Sequence, residues 1–382
     1  MSEPILVLNC GSSSIKFALF DAGLRPLARK ALWSGSVDGI GKDKPYPAAL
    51  QEVRERVVKQ TGGQPPEAIV HRVVHGGAKY AAPARVDAAV LADLKSYIPL
   101  APLHQPFALH AIELLLAELP QMPQVACFDT AFHRTVPQVE QMLPLPQALR
   151  QRGVRRYGFH GLSYEYMSVA LPERHGNAAR GRTIVAHLGS GASLCAMQEL
   201  RSVATTMGFS ALEGLMMGTR CGSLDPGVLL YLLEIEKLSL GELTNVLYRQ
   251  SGLLGASSLS PSAQVLLEAE ATNREARAAL ELWVRRVVRE IGALTAVLGG
   301  LDMLAFTAGI GEHSAVLRER ICAAFGWLGL ELDASANAAN ASIISTARSR
   351  VRVAVEPTNE EWIAASHAVR VLSTDMAEAP RP

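Results

Sequence analysis

Little cysteine, no excess charge of either sign and no long apolar run mark this chain of 382 residues, and each lack excludes a class of protein. Its cysteines, Cys10, Cys127, Cys195, Cys221 and Cys322, are scattered, with no C-x-x-C pair and no histidine spacing of a zinc site. They read as free thiols of a reducing compartment. Lysine and arginine number 37 against 36 aspartates and glutamates, a formal net charge of +1, so no global field recruits nucleic acid or an anionic membrane. Any phosphate recognition must be local. No uncharged apolar run is long enough to span a bilayer, and the first residues enter a strand without a basic or apolar leader, which makes a cytoplasmic address the expectation.

What is present is a 49% hydrophobic composition, enough for a large core, over a length that suits two domains or one domain built twice. The pattern favours duplication. Ile5 to Leu8 is an apolar β-type run, Gly11 to Ser14 a polar turn, and Ile15 to Phe20 a returning strand. The same design recurs as Thr183 to Ala186, then His187-Leu188-Gly189-Ser190-Gly191, then Ala192 to Met197.

Helical periodicity over Asp87–Tyr97 and Pro106–Leu119 precedes a strand-like Gln124–Phe128. In the second half, Asn273–Leu298 is a long amphipathic helix with Leu280, Trp283, Val284, Val287, Val288 and Ile291 on one face. Met303–Thr307 is a strand, Ser314–Ala324 a helix and Asn359–Leu372 the last helix, with a frayed tail from Thr374. This order predicts α/β architecture in two lobes, 1–148 rejoined by 359–382 and 149–358, with the boundary near Pro144–Gly153.

Glycine admits close backbone approach, and free N–H groups of a tight turn form an anion-binding nest. Both hairpin loops suit a phosphate, although Gly, Ser and Asn are also ordinary turn residues. Neither loop is a G-x-x-x-x-G-K-[ST] motif. Between them lie polar clusters on apolar frames: His71 to Gly77, Pro102 to Pro106, Cys127 to His133 and Arg156 to Gly161. Each falls at a strand end or beside glycine or proline, where open α/β sheets bind ligands. Singly, each histidine also reads as a buried structural imidazole, and Asp129 as a helix cap.

Five stretches carry a family resemblance. Asn9 to Lys16, His71 to Gly77, Met207-Gly208-Phe209 with Glu213 to Gly222, Thr307 to Glu312 and Pro357 to Glu361 together resemble the acetate kinase family, in order over nearly the whole chain. The resemblance implies a duplicated actin-like (ribonuclease H-like) two-lobed α/β fold with an interlobe cleft, the second lobe binding nucleotide. It implies an Mg²⁺-dependent acyl kinase, with Mn²⁺ as a substitute ion, that moves a phosphoryl group between ATP and a short carboxylate such as acetate, propionate or butyrate. It further implies a homodimer.

Residue by residue, the resemblance assigns Asn9, Asp129 and Glu360 to the metal, and Ser12, Ser14 and Lys16 to phosphate. Arg72 and Arg220 resemble the arginines that hold carboxylate and phosphoryl group, and His160 the histidine on the transferring phosphoryl, with His104 and His187 in support. His187, Gly189, Ser190, Gly191, Gly309, Ile310, Gly311 and His313 would meet the nucleotide. Val74, Leu103, Phe159 and Ala211 would line the acyl pocket, the first three fitting core packing equally well. Thr358–Glu361 also fits a capping box, with Glu361 the cap and Glu360 toward the metal.

The roles agree with phosphoryl-transfer chemistry. An attacking carboxylate needs no base, so rate must come from alignment and from offsetting charge on the equatorial oxygens. Planar guanidinium forks match those oxygens.

Some positions depart from the family pattern. Ser262 and Gln264 stand where an acid and an arginine framing the nucleoside are expected, Ala211 replaces a usual proline, and Ala78, Tyr164, Ser190 and His313 replace other family residues. Two alternatives follow: the same fold using pyrophosphate or another nucleotide, and a non-catalytic nucleotide-binding switch.

Overall fold

The computed structural model describes residues 3–41 and 43–378. It divides into two compact units, Met1–Arg134 with Gly161–Tyr166 and Asn359–Pro382, and Thr135–His160 with Met167–Thr358. Among the described residues no helix is long and apolar enough to cross a membrane.

The first unit is built on a six-stranded sheet formed by β1 (Pro4–Cys10), β2 (Ser14–Asp21), β3 (Trp33–Asp38), β4 (Ala68–Val73), β5 (Ala84–Arg85) and β6 (Gln124–Phe128), in the order β3-β2-β1-β4-β6-β5. Ile5 to Leu8 are all buried, as expected of a central strand covered on both faces. β1 pairs antiparallel with β2, Asn9 opposite Lys16, and parallel with β4, Leu8 level with His71. β4 pairs parallel with β6, Arg72 level with Cys127. The carboxyl ends of β1, β4 and β6 thus share one edge of the sheet.

The second unit carries β7 (Thr183–Leu188), β8 (Ala192–Gln198), β9 (Arg201–Thr205), β10 (Met303–Thr307) and β11 (Arg352–Val355), ordered β11-β10-β7-β8-β9. Read from β9 to β11, this repeats the order and strand directions of β3-β2-β1-β4-β6. The hairpins β1–β2 and β7–β8 occupy equivalent places, so the internal duplication read from two short sequence patterns extends to both sheets.

The helix Arg274–Leu298 follows its pattern closely. Asn273 accepts from the Ala276 N–H at 2.8 Å as its cap, and Gly299 closes it at φ 70°. Leu280, Trp283, Val287 and Ile291 are buried, each contributing about 1.5–3 kcal/mol by leaving water, while Val284 and Val288 flank the stripe half-buried.

The compact units change over at Arg134/Thr135. The Thr135 hydroxyl donates to the Ser202 carbonyl at 2.8 Å, tying the segment to β9 before the proline-rich stretch begins. Several expectations are corrected. The helix expected over Ser314–Ala324 is Ala315–Cys322, followed by a 3₁₀ turn from Ala323 to Leu328. The last helix runs Glu360–Glu378, past the expected start of fraying at Thr374, and residues 379–382 lie outside the described residues. Its first turn is capped by Asn359, whose Oδ1 accepts from the Trp362 N–H at 3.0 Å, rather than by a Thr358–Glu361 box. The Thr358 N–H is taken instead by Glu312 Oε1 at 3.2 Å. Strands β3, β5, β9 and β11 and the bounds of β4 were not read from sequence.

Candidate active site

In the first unit, the β1–β2 turn is closed by the Gly11 N–H on the Ser14 carbonyl at 2.9 Å, leaving Ser12 exposed and Ser14 half-buried. Lys16, also exposed, lines a cavity of about 530 Å³ with Arg29, Lys30, Ser34, Ser36, Asn359 and Glu361. Asn9 is half-buried on β1, one residue beyond the Leu8–His71 pairing and so level with Arg72 on the neighbouring strand.

Arg72, one residue from the end of β4, meets Asp129, which follows β6. Nε donates to Oδ1 at 2.9 Å and Nη2 to Oδ2 at 2.7 Å, a bidentate fork. Nη1 lies 3.6 Å from Glu360 Oε2 at the start of the last helix. Asp129 is therefore an ion-pair partner. Burial opposes the Arg72 charge, but Asp129 and Glu360 outweigh it and the guanidinium pKa is raised. Glu360 is pushed up to about 7 by burial, with Asp129 and Glu361 adding repulsion that Arg72 and Lys16 only partly offset.

Among the described residues no group of three histidine, cysteine or carboxylate side chains could hold a metal ion. Asp129 and Glu360 both meet Arg72 and offer the oxygen donors that Mg²⁺ prefers, so the corner suits a hard cation through two carboxylates. Asn9, Asp129 and Glu360 are the residues that would hold it.

Val74, Leu103 and His104 are half-buried on the same unit, Leu103 and His104 just ahead of the helix Gln105–Glu118. His71 and His75 are structural. The His71 Nε2 bonds Gln124 Oε1 at 2.8 Å, and His75 Nδ1 accepts from the Gly77 N–H at 2.9 Å.

In the second unit, the Gly189 N–H closes the β7–β8 turn on the Gly191 carbonyl at 3.0 Å, with Ser190 exposed. His187, at the end of β7, stacks on His160 with ring centroids 4.1 Å apart and 17° between planes. His160 holds φ 58°, a left-handed conformation that costs a side chain about 1–3 kcal/mol and persists only where surroundings enforce it. Its Nδ1 bonds Ser193 Oγ at 2.8 Å.

Gly191 shows what converges there. A Cβ on Gly191 would lie 2.9 Å from Arg220 Nη2 and 3.3 Å from His160 Nε2, so both groups border this glycine and a larger residue would push into them. The Arg220 Nη1 donates to the Ala211 carbonyl at 2.7 Å, and buried Phe159 precedes His160. Gly309, Ile310, Gly311 and His313 fall inside a short helix, Ala308–His313. Arg318, 1% exposed, pins that helix by donating to the Gly311 and Glu312 carbonyls at 2.9 Å each. Ser262 caps the helix Ala263–Ala269, and Gln264 pairs with Glu268 at 3.1 Å.

Sequence comparison decides between the readings these two sets allow. A family model described as the acetokinase family matches residues 4–64 and 46–366. The chain belongs to the acetokinase family. Within it, an acetate kinase of Rhodopseudomonas palustris is 46% identical, with 97% of this chain and 99% of the relative covered. Among solved structures, a Porphyromonas gingivalis acetate kinase matches with TM-score 0.87 and 34% identity, over 97% of this chain and 100% of its own. A Francisella tularensis propionate kinase matches with TM-score 0.89 and 33% identity, over 96% and 99%. The actin-like α/β fold expected from the resemblance is thereby shown, and the protein is a kinase of this family.

Of the residues expected from sequence, one set, Arg72, Asp129 and Glu360, forms an ion-pair cluster within the first unit. A second, His160, His187, Gly191 and Arg220, comes together within the second. Sequence reading missed Ser193 and Arg318. For Ser193 a signal existed: it follows the second loop by two residues on a strand otherwise apolar from Ala192 to Met197.

Proposed function

We propose that the chain reversibly transfers the γ-phosphoryl group of ATP to acetate, with propionate or butyrate as further acceptors, by direct in-line displacement giving an acyl phosphate and ADP. What supports this is one arginine in each unit: Arg72 forked on buried Asp129 in the first, and Arg220 bordering Gly191 with His160 Nε2 in the second. A switch that only hydrolyses nucleotide has no carboxylate to grip and no use for an arginine placed to hold one.

The acceptor carboxylate attacks unaided, so the residues act by placement and charge. Arg72 holds the carboxylate, with Val74, Leu103, Phe159 and Ala211 around the acyl chain. Arg220 and His160 donate to phosphoryl oxygens as charge shifts during transfer, with His187 stacked behind the ring and His104 in support. Asn9, Ser12, Ser14 and Lys16 orient phosphate at the first loop, and Gly189, Ser190 and Gly191 at the second. Gly309, Ile310, Gly311 and His313 border the nucleoside. Mg²⁺, when bound by Asn9, Asp129 and Glu360, supplies neutralisation of phosphate charge.

The test is acyl phosphate formation by purified protein with Mg²⁺, crossing acetate, propionate and butyrate with ATP, GTP and pyrophosphate. Transfer from ATP to acetate is expected. Nucleotide hydrolysis indifferent to all three acids would overturn the proposal, and activity with pyrophosphate alone would move the donor.

The working form is a cytoplasmic homodimer. Val228, Leu230, Tyr231 and Ile235 expose an apolar face on and just after the helix Pro226–Glu234, of the kind that a second copy covers. Five unlinked cysteines support a reducing compartment. Sedimentation of the wild type as a monomer at micromolar concentration would refute the dimer.

A further inference from the structure

Ser193 does not touch phosphate in any role described above, yet it is fully buried on β8 and its hydroxyl meets the ring that borders Gly191. The β7–β8 hairpin pairs His187 with Ser193, so one ladder position supplies both the ring that stacks on His160 and the hydroxyl that holds its far nitrogen. His160 is thus constrained three ways: left-handed backbone, stacked face and bonded Nδ1. Its other ring nitrogen, Nε2, borders Gly191, as the Arg220 guanidinium also does.

An imidazole can turn or change tautomer, and only one arrangement is useful here. To stabilise a phosphoryl group, Nε2 must carry a proton and point at it. A hydroxyl that donates to Nδ1 of the neutral ring leaves the proton on Nε2, and one that accepts from Nδ1–H serves the imidazolium equally.

We propose that Ser193 is a positioning residue for the transfer step, fixing the orientation and proton placement of His160 so that Nε2–H donates to the migrating phosphoryl group. This rests on the acyl-kinase reading above. Groups that orient a functional histidine in this way typically change its performance by about 10–100-fold when removed.

The experiment compares Ser193→Ala, Ser193→Thr and Ser193→Val, alone and with His160→Ala, in ATP-dependent acetyl phosphate formation, with a thermal melt for each. The threonine and valine variants match in shape and differ by the hydroxyl. Expected are a kcat loss of about 10–100-fold in S193A and S193V, KM for acetate and ATP within about threefold, and recovery in S193T to within about threefold of wild type. In the His160→Ala background, removing the hydroxyl should cost nothing more, because its effect passes through that ring. Equal kcat in S193T and S193V, an additive loss in the double variant, or failure of all three single variants to fold would each overturn the proposal, the last by making Ser193 a packing residue. A wild type without acetate-dependent turnover would fail the acyl-kinase reading itself, before any variant is compared.

Discussion

Asp129→Asn isolates what the carboxylate does for Arg72. The wild-type fork has bonds of 2.9 and 2.7 Å, and the two side chains retain 22% and 3% of their exposure. Removing one partner of a buried pair costs about 3–5 kcal/mol when the other charge is stranded. Here stranding is incomplete. An asparagine carbonyl still accepts from one arm of the fork, and Glu360, 3.6 Å away, faces the same guanidinium. Asp129 is one of the groups that raise Glu360, so neutralising it lets Glu360 ionise more readily and take up part of the pairing. The expected stability loss is therefore smaller, about 1–3 kcal/mol, read as a lowered urea midpoint. Turnover should suffer more, because the fork that aims Arg72 is halved and a candidate cation ligand loses its charge; kcat/KM for acetate should fall about 100–1000-fold. Hydroxamate trapping of acetyl phosphate measures it. A folded variant within tenfold of wild type would refute the claim that this pair organises the acceptor site.

Burial holds His71 down at about 4, below its ordinary 6.5, so the unfolded chain takes up that proton first as pH falls. Its stabilising contribution is complete above pH 6.5 and is lost on acidification through about 4, a span of about 3 kcal/mol at 1.36 per unit. Urea midpoints of the wild type and His71→Gln from pH 7 to 4.5 should diverge, and parallel slopes would refute it. Gly161→Ala places a methyl far inside van der Waals contact with the Asp129 carbonyl, so it should lower the melting temperature and cut turnover at least tenfold; an active variant of wild-type stability would show that this backbone yields freely. Replacing Ser262 by Asp and Gln264 by Arg together should lower KM for ATP about fivefold, worth about 1 kcal/mol, and leave KM for acetate alone. An unchanged KM for ATP would make these exposed positions irrelevant to the nucleoside.

Much of the molecule was legible in the chain because its signals are local. Alternation and apolar runs marked the central strands β1, β2, β7, β8 and β10, and 3.6-residue periodicity marked the long helix over Asn273–Leu298. Edge strands escaped. Trp33–Asp38 and Arg201–Thr205 are short and mixed in polarity, and only pairing with a neighbour makes them strands. The capping box at Thr358–Glu361 misled for the same reason: the motif is a local possibility, and Glu312, distant in sequence, takes the Thr358 amide instead.

By itself, the sequence determined the duplicated α/β plan, the two glycine-and-hydroxyl turns and the family, since these rest on neighbours in the chain or on motifs in order. Tertiary structure alone decided what the charged groups do. Arg72 and Asp129 are 57 residues apart and His160 and Ser193 are 33 apart, and no periodicity relates them. Strand pairing brings the ends of β4 and β6 level, and the β7–β8 hairpin sets Ser193 opposite His187. Electrostatics and hydrogen bonding depend on distances of a few ångströms, and those distances exist only once the sheets have formed.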